Sequence, residues 1–134
     1  MSKVFSLSEA GSIAIHSMVL IAKSENKISV VGIADQTGSS KHHVAKVLQR
    51  LVKDDFLQSV RGPHGGFKLK RPASQINLLE IYESIEGKIE INHCPMGNLI
   101  CPFGKCIIGG IISDMTLNFK DYLQSQTLAN YLGD

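Results

Sequence analysis

Three cysteines lie within fourteen residues, His93–Cys106, and the chain has no others. Six residues separate Cys94 from Cys101, and four separate Cys101 from Cys106. Prolines follow two of the cysteines and glycines lie between them, and both residue types interrupt helices and strands. We therefore expect a sharply turning loop that can direct several thiolates at one centre.

The residue types in this loop leave several chemistries open. Thiolates are the usual protein ligands of iron–sulfur clusters, and three cysteines with His93 could instead hold a structural zinc ion. Free thiols that pack or become oxidised are a third interpretation, whereas an odd number of cysteines argues against a disulfide framework. A cysteine nucleophile needs a neighbouring base. Only His93 beside Cys94 could supply one, and no other catalytic constellation accompanies it, so we do not expect an enzyme.

The length and hydropathy of the chain limit its class. At 134 residues it is long enough for one domain with a modest core. No run approaches the roughly 18–20 apolar residues needed to span a bilayer, and the N-terminus lacks the pattern of a secretory signal. We expect a cytoplasmic protein that does not enter a membrane and whose cysteines stay reduced.

Positive charge is concentrated in the middle of the chain. The formal net charge is +2, but residues 38–72 carry eight lysines and arginines against two aspartates, a net of +6. Residues 73–134 carry three basic and seven acidic residues, a net of −4. A basic patch of this kind is typical of a protein with a polyanionic partner. The alternative is a solvated basic face.

The first half of the chain has the spacing of a helix-turn-helix. A first helix is predicted over Ser8–Lys23, a short helix over Ile28–Gln36, and a third from Ser39 or Ser40 to about Lys53. Thr37, Gly38 and Ser39 make the turn between the last two. The third helix has an apolar stripe of Val44, Val47, Leu48 and Leu51, and its opposite face carries Lys41, His42, Lys46, Gln49, Arg50 and Lys53.

A β-hairpin is predicted directly after the third helix. Phe56–Val60 and Phe67–Lys70 alternate as strands, and Arg61–Gly66 is a glycine-rich turn. Glycines there allow close backbone approach, and Arg61 would be attracted by the negative potential of a DNA minor groove. A basic hairpin after a helix-turn-helix indicates a winged helix.

The last third is predicted to be helical on both sides of the cysteine loop. A helix over Ile76–Glu86 ends at Gly87, a long helix runs from Cys106 to about Gln124, and Thr127 caps a last turn over Leu128–Leu132. The long helix would have an apolar stripe too wide for one neighbour, formed by Ile107, Ile108, Ile111, Ile112, Met115, Phe119, Tyr122 and Leu123. Gly109 and Gly110 would lie inside this helix and let another backbone come close.

Burying that stripe against a second copy of the chain would give a twofold dimer. Such a homodimer would match palindromic double-stranded DNA with half-sites about one helical turn apart. The alternative is an intramolecular helix packed on the winged domain. The predicted fold is therefore mostly α with a small β-hairpin wing. It divides into a winged helix-turn-helix domain (1–87), a cysteine-rich loop (88–106), and a dimerisation helix with its terminal turn (107–134).

The motifs resemble the IscR/NsrR/CymR group of winged-helix bacterial transcription regulators, the Rrf-two family. The segment Ser59-Val60-Arg61-Gly62-Pro63-His64-Gly65-Gly66-Phe67 is similar to the family's wing signature, which is the most specific match. The opening helix, the helix-turn-helix, the helix that ends at Gly87 and the terminal turn at Thr127-Leu128 also resemble the family. The resemblance covers nearly the whole chain. It implies a homodimeric regulator, in this case a repressor or an activator.

The resemblance also implies a cofactor, since family members with three cysteines in this loop commonly bind an iron–sulfur cluster. Cys94, Cys101 and Cys106 occupy those positions, and the cluster would be 2Fe–2S or 4Fe–4S. Gly109 and Ser12 stand where relatives have a fourth ligand. His93 is the nearest substitute, and Glu9, Ser12 or His16 from the partner subunit's first helix are weaker candidates. An incompletely ligated cluster would respond to redox state, nitric oxide or iron supply.

The predicted DNA contacts follow from the winged-helix interpretation. The major groove or its phosphates would be met by Ser39, Ser40, Lys41, His42, His43, Lys46 and Arg50, and the wing tip would present Arg61 and His64. His43 and Ala45 depart from the family's recognition helix, so the preferred DNA sequence does not transfer.

The alternatives to a cluster-controlled regulator are a cluster-free thiol-sensing regulator, a zinc-stabilised DNA-binding protein, and a metal- or redox-binding adaptor protein.

Overall fold

The computed structural model describes residues 5–24, 27–63, 65–91, 102–105 and 107–133. This part of the chain forms five α-helices and one antiparallel hairpin, which confirms the mostly helical fold with a small wing. The helices are α1 Glu9–Lys23, α2 Val30–Thr37, α3 Lys41–Lys53, α4 Leu78–Glu86 and α5 Ile111–Ser125; the strands are β1 Leu57–Val60 and β2 Gly66–Leu69. Short 3₁₀ turns cover Ala73–Gln75 and Leu128–Tyr131.

Side-chain caps set the beginnings of four helices. The hydroxyls of Ser8, Ser29 and Ser40 each accept a hydrogen bond from the backbone N–H three residues later, at 2.9, 3.1 and 3.1 Å. Asn77 and Glu80 form a reciprocal capping box at the start of α4. These caps confirm the predicted start of α1 and select Ser40 for α3. They also place α2 and α4 two residues later than predicted.

The wing has a third backbone partner that the sequence did not indicate. Leu57 pairs with Leu69 and Val60 with Gly66, and Phe67 forms an isolated bridge with Ile28, the residue before the α2 cap. The Phe67 N–H donates to the Ile28 carbonyl at 3.0 Å. The hairpin is thereby anchored to the chain between α1 and α2, which explains why Ile28 is extended rather than helical.

The core gathers residues from every helix around α1. Its largest buried side chains include Met18, Ile33, Leu48, Leu51, Leu57, Ile76, Ile81 and Leu128. The C-terminal segment joins this core through backbone hydrogen bonds, because the Leu128 N–H donates to Ile76 at 3.0 Å and the Leu78 N–H donates to Gln126 at 2.9 Å. Within the described residues, no helix is long and apolar enough to cross a bilayer.

The predicted start of the last helix at Cys106 is wrong. Gly109 and Gly110 adopt left-handed backbone angles, with φ of 71° and 74°, and α5 begins only at Ile111. Two successive residues at positive φ cannot continue a right-handed helix. Gly109 and Gly110 therefore lie in a turn before the helix, and Ile107 and Ile108 are exposed in that turn.

One face of α5 packs on the winged part of its own chain. Leu123 is buried in the core, and the Phe119 ring meets the rings of Phe5 and Tyr82 edge to face at 5.3 and 5.4 Å between centroids. Ile111, Leu117 and Tyr122 remain exposed. The predicted stripe is therefore divided between intramolecular packing and an open apolar surface.

Candidate nucleic-acid interface

Helix α3 is two-sided, as the sequence predicted. Val44, Val47, Leu48 and Leu51 are buried in the core. Residues four, seven and eleven positions after His42 lie on one face of a helix, and this opposite face is exposed. It consists of His42, Lys46, Gln49 and Lys53, with Lys41 and Arg50 exposed at its margins. A helix of this kind can bury one face and offer donors to a groove with the other.

The turn before α3 fixes the helix start. Gly38 ends α2 with a left-handed φ of 71°, and its N–H donates to the Ala34 carbonyl at 2.9 Å. Such a position favours glycine because a side chain would be strained there. Ser39 is half-buried, and Ser40 uses its hydroxyl oxygen to cap α3. The Ser40 hydroxyl proton is still available to a phosphate oxygen.

Two of the predicted DNA contacts are engaged within the protein. His43 Nδ1 lies 3.2 Å from Glu9 Oε1 at the start of α1, and the His43 side chain is only about one-third exposed. Arg50 Nε lies 3.3 Å from Asp54 Oδ2, one helical turn later. The Ser84 hydroxyl donates to the same Asp54 oxygen and, as the largest cause, lowers the pKa of that carboxyl, with Arg50 adding to the effect.

The basic patch is partly neutralised by neighbouring carboxylates. Lys70 Nζ lies 2.9 Å from Asp55 Oδ1, and Arg71 contacts Glu80 at 3.4 Å while stacking over the Phe56 ring at 5.0 Å. In the described part of the chain, the remaining basic residues of the patch have no carboxylate within ion-pair distance: Lys41, Lys46, Lys53, Arg61 and Lys68. All five are exposed, so the available charge lies on α3 and the wing.

The glycines of the wing close its turn rather than leave space for a ligand. A Cβ at Gly65 would lie 2.4 Å from the Val60 carbonyl oxygen, and one at Gly66 would lie 2.6 Å from the Ile28 carbonyl oxygen. The Gly65 N–H donates to the Gly62 carbonyl at 2.9 Å. This packing presents Arg61 at the exposed end of the hairpin, whereas His64 lies outside the described residues.

Residues 7–134 match the Rrf2 family, whose description is "Iron-dependent Transcriptional regulator". The match extends from the residue before the α1 cap to the last residue of the chain, so it includes the helix-turn-helix and the wing. The chain belongs to the Rrf2 family. Rrf2 proteins are transcription regulators, and the chain is accordingly a DNA-binding transcription regulator rather than an enzyme.

The chain is similar to known transcription regulators over most of their length. The HTH-type transcriptional regulator IscR of Sodalis glossinidius (strain morsitans) is 25% identical over 131 residues, 96% of this chain and 79% of the relative. CymR, the global cysteine regulator of B. subtilis, has a TM-score of 0.78 at 21% identity, covering 96% of this chain and 97% of CymR. IscR of T. potens has a TM-score of 0.75 at 24% identity, covering 96% and 87%. These structures share the winged-helix fold of the chain.

The predicted metal ligands of this Rrf2 chain, Cys94, Cys101, Cys106 and His93, lie outside the described residues. Among the residues that are described, no group of three histidines, cysteines, aspartates or glutamates could hold a metal ion. The first residues of the cysteine loop are held by α4, because the Ile89 N–H donates to Glu83 Oε2 at 2.8 Å. The loop therefore begins from a fixed point on α4.

The weaker candidates for a fourth ligand lie on α1. His16 is exposed, and its Nδ1 lies 2.7 Å from the Ser12 carbonyl oxygen, while its Nε2 has no hydrogen-bond partner among the described residues. Glu9 is paired with His43 of its own chain. Of these candidates, His16 therefore has the freest donor atom.

The predicted DNA contacts leave out two residues of the exposed α3 face, Gln49 and Lys53. Their positions three and seven residues after Lys46 place them on the same face, so helical spacing alone would have included them. Side-chain amides and ammonium groups are common donors to base edges and phosphates. Both residues therefore belong to the candidate interface.

Proposed function

We propose that the protein is a homodimeric regulator whose binding to a palindromic operator is controlled by an iron–sulfur cluster bound to Cys94, Cys101 and Cys106. The observation that carries the DNA-binding half is the charge distribution of α3, which buries four aliphatic side chains and exposes His42 and Lys46 beside the wing. The residue types of the loop support the cluster-binding half, since three cysteines fall between α4 and α5 in the sequence.

DNA contact divides between α3 and the wing in this proposal. Lys46, Gln49 and Lys53 face the major groove or its phosphates together with Ser39, Ser40, Lys41 and His42. Arg50 meets a phosphate at the edge, as does His43 when Glu9 releases it. Arg61 enters the adjacent minor groove with His64 at the wing tip, where negative potential favours a guanidinium. Contacts to phosphates give affinity, and contacts to base edges give specificity.

The homodimer would form through the apolar surface at the start of α5. Ile107 is 73% exposed, Ile108 42% and Ile111 50%, and these three residues are neighbours at the start of the helix. Exposed apolar groups of this number are typical of a protein–protein contact. A twofold axis through such a contact would set two α3 helices at the spacing of a palindromic operator.

The donor set fits an iron–sulfur cluster and leaves one ligand unassigned. Thiolates are the usual ligands of 2Fe–2S and 4Fe–4S clusters, and the three cysteines would supply three positions. His93 is the nearest fourth donor, with the partner subunit's His16 as the alternative whose Nε2 is open. When bound, the cluster would supply a centre that reacts to redox state, nitric oxide or iron supply.

In this proposal the fold connects the cysteine loop to the DNA-binding surface, which is the exposed face of α3 with the wing. The loop lies between α4 and α5, and both helices pack on the winged core. A ligand changes an equilibrium only by its differential affinity for the two states. The cluster-bound and cluster-free loops would hold the two α3 helices of the dimer in different relative positions. Operator affinity would therefore change only as far as DNA binds these two arrangements differently.

Purification without air tests the cofactor directly. The visible absorption spectrum and the iron, sulfide and zinc contents of the wild type would be compared with those of Cys94→Ser, Cys101→Ser and Cys106→Ser. We expect iron and sulfide in the wild type and their loss in each variant, with operator affinity changing in parallel. Leu132→Ser, at an exposed position far along the chain from the loop, is the control that should keep the cluster.

The outcomes of this experiment separate the proposal from its alternatives. Zinc in place of iron would support the zinc-stabilised protein. An iron-free protein whose operator affinity changes when its thiols are oxidised would support a thiol sensor. Salt-sensitive binding to a palindromic duplex, selected from random sequences, distinguishes any of these regulators from a metal- or redox-binding adaptor.

A further inference from the structure

One oxygen of Asp54 joins the recognition helix to α4. Asp54 is the C-cap residue of α3, and its N–H donates to the Arg50 carbonyl at 3.0 Å. Its Oδ2 accepts from Arg50 Nε at 3.3 Å and also from the hydroxyl of Ser84, which lies thirty residues later on α4. The carboxylate is therefore fixed from both sides, by its own helix and by a neighbouring one.

The contact with Asp54 leaves most of the Arg50 guanidinium available. A guanidinium has five N–H donors in a rigid plane, and only the Nε donor is used here. In the described residues, neither Nη nitrogen of Arg50 has a hydrogen-bond partner, and the side chain is 56% exposed. A carboxylate on Nε restricts the plane of the guanidinium, and the N–H groups of the two Nη nitrogens remain available to a further partner.

We propose that Ser84 is a positioning residue for DNA binding: its hydroxyl fixes Asp54, and Asp54 orients Arg50 to present its two free nitrogens to a phosphate. The inference rests on the proposed assignment of Arg50 to the DNA interface. Guanidinium groups bind phosphate oxygens with paired N–H donors. Orienting such a side chain before DNA arrives reduces the conformational entropy lost on binding.

The same turn of α4 also holds the beginning of the cysteine loop. Glu83 accepts from the Ile89 N–H at 2.8 Å, and Glu86 accepts from the Ser8 hydroxyl that caps α1. Ser84 lies between these two acidic residues. A change in the loop that moves this turn would move Ser84 with it. This last turn of α4 therefore connects the cysteine loop to Arg50, the proposed phosphate contact of α3.

A double-mutant cycle on the full-length protein tests the inference. Operator binding is measured by fluorescence anisotropy for wild type, Ser84→Ala, Arg50→Ala and the double variant, all purified without air. We expect Arg50→Ala to weaken binding about tenfold and Ser84→Ala to weaken it about threefold. Ser84→Ala should have no further effect in the Arg50→Ala background, because the hydroxyl acts only through the arginine.

Two variants control for changes that do not involve Arg50. Ser84→Thr keeps the hydroxyl and should bind like the wild type. Ser74→Ala removes an exposed hydroxyl that has no hydrogen-bond partner among the described residues and should also be neutral. Urea unfolding of each variant verifies that the protein is folded under the binding conditions.

The results distinguish a failure of this inference from a failure of the assignment beneath it. If Arg50→Ala binds like the wild type, Arg50 is not a DNA contact and the inference falls with that assignment. If Arg50→Ala weakens binding and Ser84→Ala does not, only the role of Ser84 is refuted. An equal loss from Ser84→Ala in both backgrounds would refute it as well, because the effect would then bypass Arg50.

Discussion

Gly66 packs directly against the α1–α2 connection. The backbone of Ile28 lies so near that a Cβ on Gly66 would be 2.6 Å from the Ile28 carbonyl oxygen, and backbone atoms cannot move aside as a flexible side chain can. We expect Gly66→Ala to lower the free energy of unfolding by about 1–3 kcal/mol, as measured by urea denaturation. Gly133→Ala is the matched control, because a Cβ there meets nothing within 4 Å; equal losses in the two variants would contradict this account.

The hydroxyl of Ser84 gives a pH-dependent prediction at the same scale. The pKa of Asp54 lies below the usual aspartate value of 3.8, first because of Ser84 and then because of Arg50. A lowered pKa in the folded state means that the ionised carboxylate adds stability above pH 3.8, and this contribution is lost as the pH falls through the folded value. In Ser84→Ala we expect the pKa of Asp54 to rise, as measured by carbon NMR titration of the carboxyl group. An unchanged titration would show that the hydroxyl does not stabilise the anion.

Local signals at single residues could be predicted from the sequence, and contacts between distant residues could not. Ser8 was predicted as a cap because a hydroxyl before an apolar period satisfies free N–H groups nearby. The hydrogen bond from Ser84 to Asp54 spans thirty residues, and the pairing of Phe67 with Ile28 spans nearly forty. The packing of α4 on α3, and of the hairpin against α1, brings these groups together, so no periodicity in the sequence indicates them.

Asn77 shows how an element boundary depends on one side chain. Its Oδ1 accepts from the Glu80 N–H at 2.9 Å, and its own N–H donates to Glu80 Oε2 at 3.0 Å. Removing a cap of this type costs about 0.5–2 kcal/mol, so Asn77→Ala should lower the free energy of unfolding by that amount, as measured by urea denaturation. Asn77→Asp keeps the acceptor and should lose much less. Equal losses in both variants would mean that the cap oxygen does not stabilise α4.

The start of α5 shows where periodicity is a poor guide to an element. Apolar spacing continues from Ile107 to Leu123, and this pattern predicted a helix from Cys106. Two adjacent glycines at positive φ prevent a helix from forming across this stretch, and Gly110 is the N-cap residue of α5. An isolated glycine is tolerated inside a helix, so sequence spacing could not decide between a weak helix and a turn. The buried faces of α1 and α3 were predictable because no such pair interrupts them.

Lys46 tests the charge distribution of the whole molecule. It is exposed on α3 inside the segment with a net charge of +6, and within the described residues no carboxylate pairs with it. If it neutralises a phosphate, Lys46→Ala should weaken binding to all sequences and reduce the slope of log affinity against log salt by about 0.9. Lys88→Ala, exposed outside that segment, should leave the slope unchanged. A loss confined to one base position would assign Lys46 to base recognition instead.

If the open apolar surface at the start of α5 is the proposed dimer contact, it brings two α3 helices to one operator. Ile111 is 50% exposed there, and a lysine at this position would place a charge in any apolar contact between subunits. We expect Ile111→Lys to convert a dimer to a monomer in sedimentation velocity and to weaken binding to a palindrome far more than binding to a single half-site. Leu132→Lys, 43% exposed at the other end of the C-terminal segment, is the matched control and should remain dimeric. If Ile111→Lys is still a dimer with wild-type affinity for the palindrome, the α5 surface is not the dimer contact. Another surface of the protein would then have to form the dimer and connect the cysteine loop to the spacing of the two half-sites.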